Sequence, residues 1–276
     1  MTQIDRHPLP SGISGLSGLL VAAALLGAGA ARAQDPAPEF VVTFDQDSQV
    51  PQGFVDTLVD EADRLAALGL RVGMVAPEHF SLTPQTRTGK ARAAQGGEFL
   101  EAYAPIQSGL LMPLAAIDTL GPQRADYFID LVDAEYFLRA HRVGYSAACV
   151  PGLVLPHGFG NRLYVHAFGR RLTKRDGSPR MGAVSTPFRY YYRVRNRIAL
   201  NRAYGRDPEV RALLQRDTRN DVLLDFCVAI WSARGKLSLI GVMLAGLRDG
   251  LRGRMGRIPA RIATRAARVR WRHPVD

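Results

Sequence analysis

Phe40-Val41-Val42-Thr43-Phe44, then Phe54-Val55-Asp56-Thr57-Leu58-Val59-Asp60-Glu61-Ala62-Asp63-Arg64-Leu65, then Leu70-Arg71-Val72-Gly73-Met74-Val75 are the segments that decide the fold class. The first is a β-branched and aromatic run bounded by prolines, which reads as a buried strand. In the second, Phe54, Leu58, Ala62 and Leu65 share one helical stripe with acids between them. Residues 53–68 therefore read as an amphipathic helix, which Gly69 ends. Leu70 to Val75 reads as the next strand. A strand, a helix of about four turns and a strand make a βαβ unit. The expectation is an α/β fold with a mostly parallel sheet flanked by helices.

Outward from this unit the signals are shorter. Residues 78–98 are polar and glycine-rich and read as a loop. Helices are expected over 113–120 and over 131–143, the second ended by Gly144 and followed by a strand from Tyr145 to Val150. Beyond residue 187 the chain reads as helical, over roughly 187–204, 208–217, 219–234 and 236–252. No internal repeat is visible.

The chain has 276 residues, of which 47% are hydrophobic and 22% charged, enough apolar material for a sizeable core. That composition excludes intrinsic disorder, collagen and coiled coil. Two cysteines, Cys149 and Cys227, make neither a disulfide scaffold nor a structural zinc site alone. The net charge of +11 is uneven. Residues 1–200 carry 20 Lys and Arg against 18 Asp and Glu, whereas residues 201–276 carry 16 against 7. The basic surface is therefore local to the C-terminal segment.

Pro8 to Ala31 is uncharged and includes Leu19-Leu20-Val21-Ala22-Ala23-Ala24-Leu25-Leu26. Ending in Ala31-Arg32-Ala33-Gln34, it reads as a secretory signal, as a stretch just long enough to span a bilayer, or as a buried alanine-rich helix from about Gly15 to Ala33. Pro10, Gly12, Gly15, Gly18 and Asp5 speak against the signal.

Two acidic elements carry chemistry. Directly after the first strand comes Asp45-Gln46-Asp47-Ser48. In an extended chain the carboxylates of Asp45 and Asp47 point the same way, at the strand end where parallel α/β sheets bind ligands. Two hard oxygen donors there suit Mg²⁺ or Mn²⁺ on a diphosphate, though two solvated loop acids are the plainer reading. The second element is Phe128-Ile129-Asp130-Leu131-Val132-Asp133-Ala134-Glu135-Tyr136-Phe137-Leu138-Arg139. Its plain reading is a helix capped by Asp130 or Asp133 with an i,i+4 pair of Glu135 and Arg139. Three acids within six residues of an apolar segment exceed what that reading needs. His157, after Leu155-Pro156, stands at a strand end and is either structural or a further metal ligand.

In order, these pieces resemble a family 2 glycosyltransferase of the rhamnosyltransferase type, with the GT-A nucleotide-diphosphosugar fold. The matching residues are Phe44 to Ser48, Gln107-Ser108-Gly109, Asp130, Asp133, Glu135, Arg139, Gly144-Tyr145 and His157. They continue through Tyr190-Tyr191, Arg195-Asn196 and Gly246 to Leu251. The resemblance covers residue 10 to about residue 257. It implies Asp45, Asp47 and His157 as ligands of Mg²⁺ or Mn²⁺ on the donor diphosphate, and Asp133 as the catalytic base. It also implies Glu135 and Arg139 beside the acceptor and phosphate, Gln107, Ser108 and Gly109 lining the acceptor pocket, and Arg195 as a further substrate contact. Such enzymes begin with a strand–helix–strand–helix portion that binds the nucleotide base, ahead of the segment corresponding to Ile13-Ser14-Gly15-Leu16. Met1 stands almost at that segment, so the resemblance implies a donor site without that portion. It also favours the internal helix over the secretory signal.

The implied reaction moves a sugar, rhamnose by resemblance, from a nucleotide-diphosphosugar to a hydroxyl of a glycan or lipid-linked acceptor. A carboxylate can take the acceptor's proton, and a single base without a second nucleophilic carboxylate fits inversion. Residues 1–200 are expected to form the transferase domain and residues 201–276 a helical basic segment. In the latter, apolar stripes (Val222, Leu223, Phe226, Ile230; Leu237, Ile240, Leu244, Leu247) precede a dense run of arginines. An apolar stripe beside arginines reads as an interfacial surface on anionic lipid, and no uncharged run there is long enough to cross a bilayer. The alternative is stripes packed on the transferase with solvated arginines. The expected location is cytoplasmic, peripheral at the inner face of the cell membrane, with no nucleic-acid partner. A secreted metal-binding protein cleaved after Ala33 and a non-catalytic transferase remnant are the competing readings.

Overall fold

The computed structural model describes residues 22–24, 39–46, 48–80, 83–84, 90–94, 97–156, 161–164, 166–167 and 170–272. Phe40–Phe44 forms β2, Phe54–Ala67 forms α1 and Val72–Phe80 forms β3, with β1 at Ala22–Ala24. The inward stripe of α1 is the expected one: Phe54, Leu58, Ala62 and Leu65 are buried, packed with Val42, Val75 and Leu111. Then follow β4 (Thr83–Pro84), β5 (Lys90–Ala94), β6 (Gly97–Glu101), β7 (Leu110–Pro113), α2 (Leu114–Leu120), α3 (Val132–Arg142) and β8 (Ser146–Leu155).

The class is α/β, with helices flanking a central sheet of order β1-β2-β7-β3-β8-β6-β5, β4 pairing beside β3. The sheet is mixed where a mostly parallel one was expected. Among the described residues only β3 and β8 pair in parallel, while β7 runs antiparallel between β2 and β3. The βαβ reading holds for direction, since β2 and β3 both oppose β7. The cause of the difference is the short apolar run 110–113, which turns back at Gly109 and takes the slot between them. One row crosses the sheet through Val42, Leu111, Val75 and Ala148.

Two further expectations change. Within 78–98, β3 runs on to Phe80 and β5 pairs with β6 as a hairpin, closed by an Arg92–Glu101 ion pair at 2.6 Å. Polar composition hid that hairpin because β5 is exposed at Ala91, Arg92 and Ala93 in succession, on both faces, and so carries no apolar alternation. At the N-terminus, Ala22–Ala24 is a strand antiparallel to β2 and not part of a helix. The outer edge of β2 offers unpaired backbone groups, and satisfying them outweighs the modest helix preference of alanine. The rest of the expected Gly15–Ala33 helix lies outside the described residues.

After the small strands β9 (Asn161–Tyr164), β10 (His166–Ala167), β11 (Arg170–Arg171) and β12 (Met181–Val184), the chain is mainly helical. It forms α4 (Arg189–Tyr204), α5 (Pro208–Asn220), a π-helical turn at Asp221–Phe226, α6 (Cys227–Ser232), α7 (Lys236–Leu251) and α8 (Ala260–Ala266). A two-stranded ribbon, β13 (Ala233–Arg234) with β14 (Arg270–Trp271), brackets α7 and α8. A boundary at residue 200 runs through α4, whose Leu200 and Tyr204 pack with Met74, Met112 and Tyr127 in one core. Helix α7 lies against α4 at close range. A Cβ on Gly246 would collide with the backbone oxygen of Tyr191, and one on Gly250 would stand 3.1 Å from that of Arg195.

Candidate active site

The chain between α2 and α3 is bent in a way few side chains tolerate. Phe128, Asp130 and Leu131 have φ values of 66°, 65° and 62°, left-handed positions that ordinarily suit glycine. Each costs on the order of 1–3 kcal/mol and persists only where its surroundings enforce it. Enforcement comes from α4. The Nδ2 of Asn196 donates to the carbonyls of Tyr127 (3.1 Å), Ile129 (2.9 Å) and Asp130 (2.7 Å). Arg195 donates from Nη2 to Tyr127 (2.8 Å) and Asp126 (3.2 Å), and from Nη1 to Gly256. Its Nε meets Asn196 Oδ1 at 2.9 Å. Both side chains are 0% exposed. Arg195, expected as a substrate contact, is buried against the main chain of this loop.

The loop presents two carboxylates with different surroundings. Asp130 is held by Arg189, with Nη2 to Oδ1 at 2.7 Å and Nε to Oδ2 at 3.0 Å. Among the described residues Asp133 has no cationic partner of that kind; its Oδ1 accepts the Ala134 N–H at 2.8 Å. Burial pushes the Asp133 carboxyl up to about 6, Asp130 adds to the rise, and the Ala134 N–H and Arg189 oppose it. Neither aspartate caps α3, because the N-cap is Leu131 and receives no side-chain bond. Burial, and not a capping bond, governs its raised proton affinity, a property that a candidate general base needs.

Glu135 and Arg139 face inward. Glu135 is buried and accepts from Arg139 (3.0 Å) and from the Tyr204 hydroxyl (2.8 Å), while Arg139 also holds the Leu120 carbonyl at 2.8 Å. The i,i+4 pair is there, and it ties α3 to α4 and to the end of α2.

Asp45 ends β2 at a turn in which the Ser48 N–H returns to the Asp45 carbonyl at 3.0 Å. Asp47 lies outside the described residues. Ser108 is buried beneath the turn. Its Oγ accepts from the Asp45 N–H at 3.2 Å and shares a 2.6 Å hydrogen bond with the Ser48 hydroxyl. The Gln107 carbonyl accepts from Thr43 Oγ1 at 2.5 Å, and the Gly109 N–H donates to the Thr43 carbonyl at 2.7 Å. Gly109 has φ 71°, and a Cβ there would lie 2.9 Å from Leu155 Cδ2. Ser108 and Gly109 thus support the Asp45 turn where an acceptor lining was expected. The Gln49 N–H donates to the Pro156 carbonyl at 3.2 Å, which brings the end of β8 beside this turn. His157 lies outside the described residues. Among the described residues no three His, Cys, Asp or Glu side chains converge. Asp45 is the one expected metal ligand among them.

Helix α3 leads into β8, which runs parallel to β3 as β2 does, so the C-terminal ends of β2 and β8 lie toward one end of the sheet. Beside Phe128 opens a hollow of about 340 Å³ lined by Phe188, Tyr192, Arg257, Ile258 and Ala263. Phe128 stacks on Tyr192 at 5.1 Å, and the Arg257 guanidinium lies 5.3 Å from the Phe128 ring centre. Arg189 and this aromatic wall were not singled out in the sequence: their partners are about sixty residues away, and neither follows a periodic pattern.

No family model and no solved structure matches the chain. Over 224 residues, 79% of this chain and 71% of the other, it is 23% identical to the dTDP-rhamnosyl transferase RfbF of Shigella flexneri, a likeness that supports a glycosyltransferase.

Proposed function

We propose that the chain is a rhamnosyltransferase of the family 2, GT-A type. It would move rhamnose from a nucleotide-diphosphosugar, of which dTDP-rhamnose is the first to try, to an acceptor hydroxyl with inversion. The observation that carries this reading is Asp133, a carboxylate with a raised proton affinity at the head of α3. In the reaction Asp133 removes the proton from the attacking hydroxyl. Asp130, fixed by Arg189, keeps a negative charge nearby that sustains Asp133's basicity, and the Phe128–Tyr192 wall orients the acceptor ring or chain. Excess proton affinity matters because a base titrating near the working pH is strong enough to accept and ionised enough to be ready.

The donor half of the proposal rests on Asp45, Asp47 and His157 holding Mg²⁺ or Mn²⁺. A divalent ion there would neutralise the charge that develops on the leaving diphosphate. The chain's own contribution is the Ser108-buttressed turn, which fixes where the Asp45 backbone sits. Incubating the protein with dTDP-rhamnose and a panel of glycan and lipid-linked acceptors, and reading the anomeric configuration of the product by NMR, tests both halves. A β-linked donor giving an α-linked product supports inversion; hydrolysis and transfer both absent with every acceptor speak for a non-catalytic remnant.

A further inference from the structure

Helix α7 is apolar on two faces. Leu239, Val242, Met243 and Ala245 pack inward against α4 and its neighbours. On the outside, Leu237, Leu244, Leu247 and Leu251 are exposed, Leu237 by 86% and Leu251 by 58%, with Ile240 half-buried among them. At 3.6 residues per turn these five side chains fall within an arc of roughly 80° and extend over about 21 Å. Trp231, 57% exposed, continues the patch, with the Lys236 ammonium 4.8 Å from its ring centre. Cations border the stripe. Lys236 lies on one flank, Arg248 and Arg252 on the other, and Arg265 of α8 lies across Gly241.

We propose that this face is a docking surface for anionic lipid, with the stripe lying in the plane of the interface. The charge pattern selects this occupant. After Asp225 the described residues contain one carboxylate, Asp249, which is buried and bonded to Tyr191 and Arg248. A second copy meeting the stripe about a two-fold axis would bring Arg248, Arg252 and Arg265 against their own kind with no acid to answer them. The stripe also covers two heptads, short of the three to four that sustain a coiled coil. An anionic bilayer supplies what is missing on both counts: an apolar layer for the leucines and headgroup charge for the arginines. No helix among the described residues is long and apolar enough to cross a membrane, so the contact is one-sided.

The test is co-sedimentation of the full chain with vesicles, without donor or acceptor, so that its result is independent of the reaction. The protein should pellet with phosphatidylglycerol–phosphatidylcholine vesicles, release as salt rises, and remain in solution with phosphatidylcholine alone. Leu244→Gln with Leu247→Gln should lower partitioning by about tenfold or more, and Arg252→Gln with Arg265→Gln by a similar factor with a flatter salt dependence. All four side chains are on the surface, so melting temperatures should stay near the parent's, which confirms folded variants. Equal pelleting of the leucine variant, equal binding to neutral vesicles, or a dimer in ultracentrifugation that the leucine variant dissociates would each overturn the proposal.

Discussion

The side-chain amide of Asn196 stands 2.7 Å from the main-chain oxygen of Asp130, and the same nitrogen reaches the oxygens of Tyr127 and Ile129. One buried amide thereby holds a loop with three left-handed residues in the shape that displays Asp130 and Asp133. Asn196→Ala leaves those carbonyls without their donor, in a place where a lost partner costs about 1–3 kcal/mol. Denaturant unfolding should show a loss of that order. The turnover should fall further than occupancy of the folded state accounts for, because the loop relaxes even in folded molecules. A variant that loses stability but keeps full turnover would mean that the loop geometry is irrelevant to the chemistry.

Asp133→Asn should reduce kcat by roughly 10²–10⁴-fold while donor binding stays near the parent's. The same substitution should stabilise the fold at pH 7.5. The raised folded-state value means that the native protein binds the proton more tightly than the unfolded chain does. Stability from this group is therefore present at low pH and is lost as pH rises from about 4 to about 6. Asparagine, which does not ionise, escapes that loss, worth about 3 kcal/mol. Melting curves of parent and variant at pH 4 and pH 7.5 read the effect: the gap should open with pH.

The acid limb of the pH–rate profile should fall below an apparent value of about 6, the direction expected when a carboxylate must be ionised to accept a proton. A profile flat down to pH 4.5 would take Asp133 out of the proton transfer.

Gly109→Ala should be among the costlier single changes in the protein. It places a side chain at φ 71° and, independently, a Cβ 2.9 Å from Leu155 Cδ2. Left-handed strain alone is worth about 1–2 kcal/mol, and a crowded core adds about 1–3 kcal/mol. Chemical denaturation should show a loss of a few kcal/mol, against little change for Gly53→Ala beyond its φ strain, since nothing stands within 4 Å there.

Chelation addresses the donor half. EDTA should abolish transfer, Mg²⁺ or Mn²⁺ should restore it, and Asp47→Asn should lose it almost completely. Unchanged turnover in either experiment would remove Asp45, Asp47 and His157 from the metal-binding role.

What could be read from the sequence follows the length and regularity of each segment. Helices α1, α3 and α4 carry several turns of periodic pattern, and their positions agree with the structure to within a few residues. Strand β7 has four residues and no alternation, so its slot between β2 and β3 depends on long-range pairing that no local pattern encodes. Helix α8, with seven residues, and the β13–β14 ribbon are short for the same reason. At the candidate site, Asp133 stood out as an acid in an apolar run, while its role as base came from the resemblance. The inward roles of Glu135, Arg139 and Arg195 were not legible, since a sequence shows a charged side chain but not which carbonyl it meets. Helix α7 illustrates the limit differently: its outer stripe has the regular spacing, so periodicity singled out the face turned to solvent and passed over the packed one.

The buried hydroxyl of Ser108 joins two strands' ends that are sixty residues apart, touching both the Asp45 amide and the Ser48 hydroxyl. Its consequence is kinetic as much as geometric. In hydrogen exchange, the amides of Asp45, Ser48 and Gly109 should open as one cooperative unit with a common opening free energy. Substituting Ser108 with alanine should speed the exchange of Asp45 and leave the amides in the middle of β3 exchanging at their former rate.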